Sequence, residues 1–207
     1  MSDIVLYDYW RSSASYRVRI ALNLKKLTFQ SKVVDLAAGE KLYSHNPQGY
    51  VPVLMMKGKT LTQSLSIIEY LDELYPTPPL LGETADARQS VRALAHLVAM
   101  DIHPVCNLNV VNYAADLATS SNPVKVDWMK HFIGKGMTAL EQLINDAGAG
   151  PFCYGDCPTL ADICLMPQIY NADRWGFDIS SLKRISEIGQ RCAEIEAFQK
   201  AHPDAVR

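Results

Sequence analysis

Hydrophobic and polar positions follow two different rhythms along this chain. Through Tyr75, short β-prone runs alternate with helical stretches; beyond Glu83 the period is helical almost throughout. Residues 4–7 form a short β-prone run, followed by a polar break from Asp8 to Ser13. Val18, Ala21 and Leu22 then recur at i, i+3, i+4, so 15–25 reads as a helix. Residues 29–36 (FQSKVVDL) are a second strand candidate, and a loop rich in Gly, Ala, Asn and Pro covers 37–51. Residues 53–56 and 60–62 pair as a hairpin around Lys57-Gly58-Lys59, where Gly58 accepts positive φ. Ile67, Ile68, Leu71, Leu74 and Tyr75 mark one face of a helix that stops at Pro76. The order β-α-β, β-β-α is that of a thioredoxin-like domain with a mixed four-stranded sheet.

Residues 76–83 (PTPPLLGE) are too proline-rich for helix or sheet and mark the domain boundary. This gives two expected domains, 1–80 and 87–207, the second all-helical. Helices are expected over 86–102, with Pro104 kinking or breaking the chain, then over 105–117, 126–146 and 181–194. Residues 148–158 read as loop. Thr159 opens a further helix: its hydroxyl can accept the amide proton of the third helical residue, while the Asp162 carboxylate reaches back to the Thr159 amide. The fold class is therefore α/β plus all-α, a sheet domain followed by a helical bundle.

Composition narrows the function classes. With 48% hydrophobic residues in 207, the chain can bury a sizeable core. A net charge of -2 offers no basic surface for nucleic acid. No run approaches the ~20 apolar residues of a membrane span, and the first residues, MSDIVLYDYW, are unlike an export signal. Five cysteines, an odd count, read as reduced thiols of a cytoplasmic protein. Cys153 and Cys157 are spaced C-x-x-x-C, but no second pair or nearby histidine completes a tetrahedral site, and no metal is expected.

The densest chemistry is Arg11-Ser12-Ser13-Ala14-Ser15-Tyr16-Arg17-Val18-Arg19, where the first strand hands over to the first helix. Amides and hydroxyls at a helix N-terminus make a ready anion site and stabilise a thiolate placed there. The same residues also fit a bland reading, capping serines with surface arginines.

The wider run LYDYWRSSASYRVRIALN resembles the signature of zeta-class glutathione transferases. So do Asn46-Pro47 with Val51-Pro52, the stretch from Gln63 to Leu71, Asp101-Ile102-His103-Pro104 with Asn107-Leu108-Asn109, Gly155-Asp156 with Thr159-Leu160-Ala161-Asp162, Asn171-Ala172-Asp173-Arg174, and Glu196-Ala197-Phe198. These segments follow in order along nearly the whole chain. The resemblance implies the glutathione transferase fold and glutathione as cofactor. It implies that Ser13, or Ser12 and Ser13 together, donate to the glutathione sulfur, with Ala14 and Ser15 beside them. It implies a cis Pro52 that turns the Val51 backbone to the cysteinyl part, Gln63 and Ser64 on the γ-glutamyl group, and His103, Asn107 and Asn109 reaching over glutathione. Arg11 and Arg174 match positions associated with substrate carboxylates, which suit the arginine fork. Ser12 and Ser13 are both expected ahead of the helix, where capping and sulfur donation would compete for one hydroxyl.

Two departures stand out. Ala14 occupies a position where many zeta enzymes carry cysteine, so sulfur chemistry falls to glutathione alone. The loop over 37–45 is shorter than usual, and no contact is assigned to it. The activity implied is cis–trans isomerisation of a small cis-enol dicarboxylate: thiolate adds to the activated double bond, the bond rotates, and the thiolate leaves. Maleylacetoacetate is the expected substrate, with maleylpyruvate, or haloacids in a general transferase reaction, as alternatives. A binding protein without turnover would not need both serines and two arginines. A homodimer is expected, the first helices of the helical domain packing on the partner's N-terminal domain.

Overall fold

The computed structural model describes residues 3–36, 38–118, 122–147 and 150–207; Ala37 and Gly148, where two expected loops begin, lie outside the described residues. In chain order the elements are β1 (Val5–Asp8), α1 (Ser13–Leu24), β2 (Gln30–Val33), β3 (Val53–Met56), β4 (Lys59–Thr62), α2 (Ser64–Leu74), α3 (Ala85–His96), a π-helical turn (Leu97–Ile102), α4 (Leu108–Leu117), α5 (Asn122–Asp146), α6 (Leu160–Arg174), α7 (Lys183–Ala193), α8 (Glu196–Ala201) and a 3₁₀ turn (Pro203–Ala205). The chain divides into two compact units, one of residues 1–80 with 193–207, the other of 81–192.

In the first unit the sheet order is β2-β1-β3-β4. β1 and β2 are parallel, while β1–β3 and β3–β4 are antiparallel. The central strand β3 is buried along nearly its whole length, as a strand needs to be when helices or loops cover both faces. β2 is a fully exposed edge strand and runs shorter than the expected 29–36. The β3–β4 hairpin closes through two residues, Lys57 and Gly58, with φ of 51° and 72°. Both central residues of a type I′ turn need positive φ, which explains why β4 starts one residue earlier than its pattern suggests. Leu6, Val18, Ile20, Leu54, Ile67 and Leu71 are fully buried and knit α1 and α2 to the sheet.

The C-terminal segment departs from the expected division. Helix α8, invisible to periodicity because it has six residues, packs on α1, and residues 193–207 belong to the same compact unit as the sheet. Asn23 Nδ2 donates to Ala197 O at 3.0 Å and Arg19 Nε to Ala201 O at 2.9 Å. A helix of this length is not stable alone and forms only against a partner surface.

The second unit is helical. The expected 86–102 helix is α only to His96; a π-helical turn follows, and α4 begins three residues later than expected because Asn107, not a residue near Val105, caps it. Gly136 of α5 faces Ile102, leaving no room for a Cβ. Helix α6 is buried on every side through Gln168, despite Pro167 within it, and forms the middle of this unit. Its start has the expected capping box. Asp162 Oδ2 accepts from Thr159 N at 2.8 Å and from Thr159 Oγ1 at 2.9 Å, and Asp162 Oδ1 accepts from Cys153 N at 2.8 Å. No helix among the described residues is long and apolar enough to cross a membrane.

Candidate active site

Strand register sets the site of the first unit. Tyr7 of β1 sits opposite Val53 of β3, and Val53 opposite Thr62 of β4. Since β3 is antiparallel to both neighbours, the row beyond these residues collects the exit of β1, the entry of β3 and the exit of β4. Arg11 to Ala14, the cis Val51-Pro52 bond, and Gln63 with Ser64 thus share one sheet edge. The Val51-Pro52 peptide is cis as expected, and Thr77-Pro78 is cis too.

At the first helix start, Ser12 has an extended backbone and its Oγ accepts the Ser15 amide at 3.2 Å; Ser12 N donates to Tyr9 O at 2.9 Å. Ser13 is not ahead of the helix but is its first residue. The expected competition between capping and donation dissolves, because a capping hydroxyl uses a lone pair and keeps its proton to donate. The Ser13 and Ala14 amides have no intrahelical acceptor by the geometry of a first turn. No acidic residue lies in that turn. The Ser15 side chain is fully buried, and its amide serves the cap. Arg11 is half-buried, its Nη2 donating to Tyr9 Oη at 3.1 Å, with its guanidinium 5.1 Å from the Trp10 ring centroid.

The second helix start is also open. Gln63 precedes α2 with φ of 68°, an uncommon state for a residue other than glycine, and its side chain makes no cap. Its Nε2 instead donates to Gln48 Oε1 at 2.8 Å. Ser64 is buried and accepts from Arg17 Nη1 at 3.4 Å. Again the first turn holds no acid. Val51 is largely buried by its side chain, which leaves its backbone as the contact it can make.

In the helical unit His103 ends the π turn, half-buried, its amide donating to Val98 O at 2.9 Å. The Asn107 side-chain oxygen accepts the Asn109 amide at 3.0 Å and so caps α4. Asn109 is exposed. Arg174 is exposed in the last turn of α6, its guanidinium 5.7 Å from the Trp175 ring centroid. These four lie on the stretch from the π turn into α4 and on the end of α6.

Sequence reasoning passed over Gln48, Arg17 and Arg19. The arginines were visible in the same run, but an arginine on a short helix reads as surface; both are in fact buried. The cysteines are poor nucleophiles where buried: burial pushes the Cys106 thiol up to about 11, and burial with the Asp162 carboxylate raises Cys153 and Cys192. Cys157 is exposed, and no group of His, Cys, Asp or Glu among the described residues could hold a metal ion.

Residues 6–79 match the family model of the glutathione S-transferase N-terminal domain. A maleylacetoacetate isomerase of Rhizobium meliloti (strain 1021) is 50% identical over 210 residues, covering 100% of this chain and 99% of that protein. A maleylpyruvate isomerase described as a bacterial glutathione S-transferase of the zeta class superposes with a TM-score of 0.94 at 40% identity, covering 97% of both chains. The maleylacetoacetate isomerase of Anaeromyxobacter dehalogenans 2CP-1, solved with glutathione in its active site, gives a TM-score of 0.89 at 40% identity over 98% of this chain and 95% of that one. These matches, together with the fold, define a glutathione transferase. Within that class, the chain belongs to the zeta-class family of the maleylacetoacetate isomerases.

Proposed function

We propose that this chain is a glutathione-dependent isomerase that converts maleylacetoacetate to fumarylacetoacetate. The observation that carries the reading is the shared sheet edge bearing two helix N-termini, neither with an acid in its first turn, beside the Val51 backbone. Glutathione carries two carboxylates and a thiol, and the edge fits it: the α2 start suits a carboxylate and the α1 start suits a sulfur anion. When bound, glutathione supplies the thiolate that adds to and leaves the cis double bond.

What the chain contributes follows from its own groups. Ser12 and Ser13 donate toward the sulfur position, raising the thiolate fraction of a group that is mostly protonated at neutral pH. Ala14, with its free amide, adds a backbone donor beside them. Gln63 and Ser64 hold the γ-glutamyl end, and the Val51 backbone pairs with the cysteinyl unit. Arg11 fixes a substrate carboxylate and stabilises the enolate-like charge that develops on addition. On the helical unit, Arg174 takes a carboxylate, and His103, Asn107 and Asn109 offer polar contacts to glutathione.

A maleylpyruvate isomerase is the second reading, favoured by the high structural likeness to the zeta-class enzyme of that name. One experiment separates them: an absorbance assay with each cis-enol diacid, with and without glutathione. Turnover of maleylacetoacetate only with glutathione present is expected; preference for maleylpyruvate moves the assignment. Conjugation of haloacids without isomerisation removes both.

A homodimer in the cytoplasm belongs to the same reading. Met100 and Val110, large and apolar, are exposed in the single chain. Light scattering should give about twice the monomer mass of 23.0 kDa; a monomer across working concentrations refutes the dimer.

A further inference from the structure

Arg19 lies on α1, two turns beyond the residues that face the sulfur position, and is 1% exposed. Its guanidinium points in three directions at once. Nη1 donates to both oxygens of Asp8 at 2.7 and 2.9 Å, Nη2 to Trp10 O at 3.0 Å, and Nε to Ala201 O at 2.9 Å. Asp8 ends β1, and Trp10 immediately precedes Arg11. The C-terminal segment supplies the third anchor and further contacts. The Arg207 guanidinium lies 5.0 Å from the Trp10 ring centroid, and the His202 ring meets Tyr16 edge-on at 6.0 Å. Between Asp8 and Ser12 two successive backbone carbonyls are thus held: Trp10 O by Arg19, and Tyr9 O by the Ser12 amide at 2.9 Å.

A buried ion pair alone is weak evidence for a role, since its desolvation cost offsets its attraction. The two backbone carbonyls are a different matter. A planar guanidinium serves the carboxylate and the two carbonyls from three separate nitrogens held in one plane, so the arrangement specifies a position as well as a charge. We propose that Arg19 is a positioning residue: through the Trp10 carbonyl it sets the orientation of Arg11, Ser12 and Ser13 against a fixed support formed by Asp8 and the C-terminal helix α8. The inference rests on the reading that Arg11 to Ser13 activate the glutathione thiol and hold the substrate. It adds that this activation depends on residues 196–207, far away in the chain.

The test uses the full chain with Arg19→Lys and Asp8→Asn. Lysine keeps the charge opposite Asp8 but replaces three separate donor nitrogens in a fixed plane by one; asparagine keeps an acceptor and shape but loses the charge. Four readouts are taken: thermal unfolding, the pH titration of bound glutathione by its ultraviolet thiolate absorbance, kcat and KM. Arg19→Lys is expected to unfold cooperatively, to raise the pKa of the bound thiol, and to lower kcat by roughly ten- to a hundredfold, the cost of a misplaced catalytic group. Asp8→Asn shifts both in the same direction by less. A cooperatively folded Arg19→Lys protein with the parent's thiol pKa and kcat overturns the proposal. So does failure of both variants to fold, which would make Arg19 a residue of the core and nothing more. Should the parent itself bind no glutathione, the functional reading fails instead, and the two failures are told apart.

Discussion

The starts of α1 and α6 are built from the same parts and end in opposite conditions. Both open on a hydroxyl residue with an extended backbone whose oxygen accepts a first-turn amide. At α6 the third residue is Asp162, whose carboxylate sits on the positive end of the helix, accepts from Thr159 and Cys153, and is sealed from solvent. At α1 the third residue is Ser15, no acid is present, and Arg11 adds positive charge one residue before the cap. The α6 start is complete in itself; the α1 start lacks an anion. Identical capping chemistry therefore marks structure where the protein supplies its own carboxylate, and binding where it leaves that place to a ligand.

The largest way to break this contrast is Asp162→Ala. Two buried amides and a hydroxyl lose their acceptor, which should cost about 3–5 kcal/mol of stability, read as a fall in Tm by circular dichroism. A loss below about 1 kcal/mol would make the box incidental. At α1 the effect should fall on rate instead. Replacing both Ser12 and Ser13 by alanine should lower isomerase turnover by roughly ten- to 150-fold, the value of about 1.5–3 kcal/mol for hydrogen bonds to a developing thiolate. Stability should drop by only about 1 kcal/mol for the missing cap. Turnover within about threefold of the parent would reduce the pair to a cap, since losing one neutral hydrogen bond can cost more than that.

Ala14→Asp sharpens the comparison by giving α1 what α6 already has. A carboxylate in the first turn should raise stability by about 0.3–1 kcal/mol while weakening glutathione binding in calorimetric titration, because the ligand anion meets a like charge. A gain in both would contradict the reading of α1 as a vacant anion site. The smallest effect is on pH dependence. Burial raises the Asp162 carboxyl above its ordinary value, opposed by its hydrogen bonds. The folded chain then holds that proton more tightly than the unfolded one, so this group's contribution to stability falls as pH rises from the ordinary carboxylate range through the raised value. Urea unfolding across that range should show a flatter profile for Asp162→Asn than for the parent.

Much of this was legible before the fold was seen, and the reasons differ by region. The sheet unit announces itself because strand and helix periods alternate within short spans, and the Thr159 box because capping is a local code of four residues. Helix α8 was not legible: Glu196 to Ala201 make too little local pattern, and the element exists through its contact with α1. The π turn over Leu97–Ile102 was equally hidden, since the phase shift from one extra residue in a single turn is too small to read in hydrophobic spacing. In the site, Ser12, Gln63 and Ser64 stood out by type and position. The burial of Ser15 was not legible, because adjacent serines look alike in sequence while a helix turns them to different sides. Arg19 was overlooked because a guanidinium gives no sign in sequence that carbonyls from residues 10 and 201 will converge on it.

The return of residues 193–207 to the sheet has a consequence for how the molecule is made and remade. In topological terms the helical unit is a guest inserted into its host, and the host's last buried hydrogen bonds form with residues synthesised after the whole guest. Domains ordinarily complete themselves in order as the chain emerges, but here the first domain begun is among the last finished. Arg19 must wait through 182 residues for its third acceptor. A chimera exchanging only 1–80 between relatives would break that pairing, whereas one that carries the tail along would keep host and anchor matched.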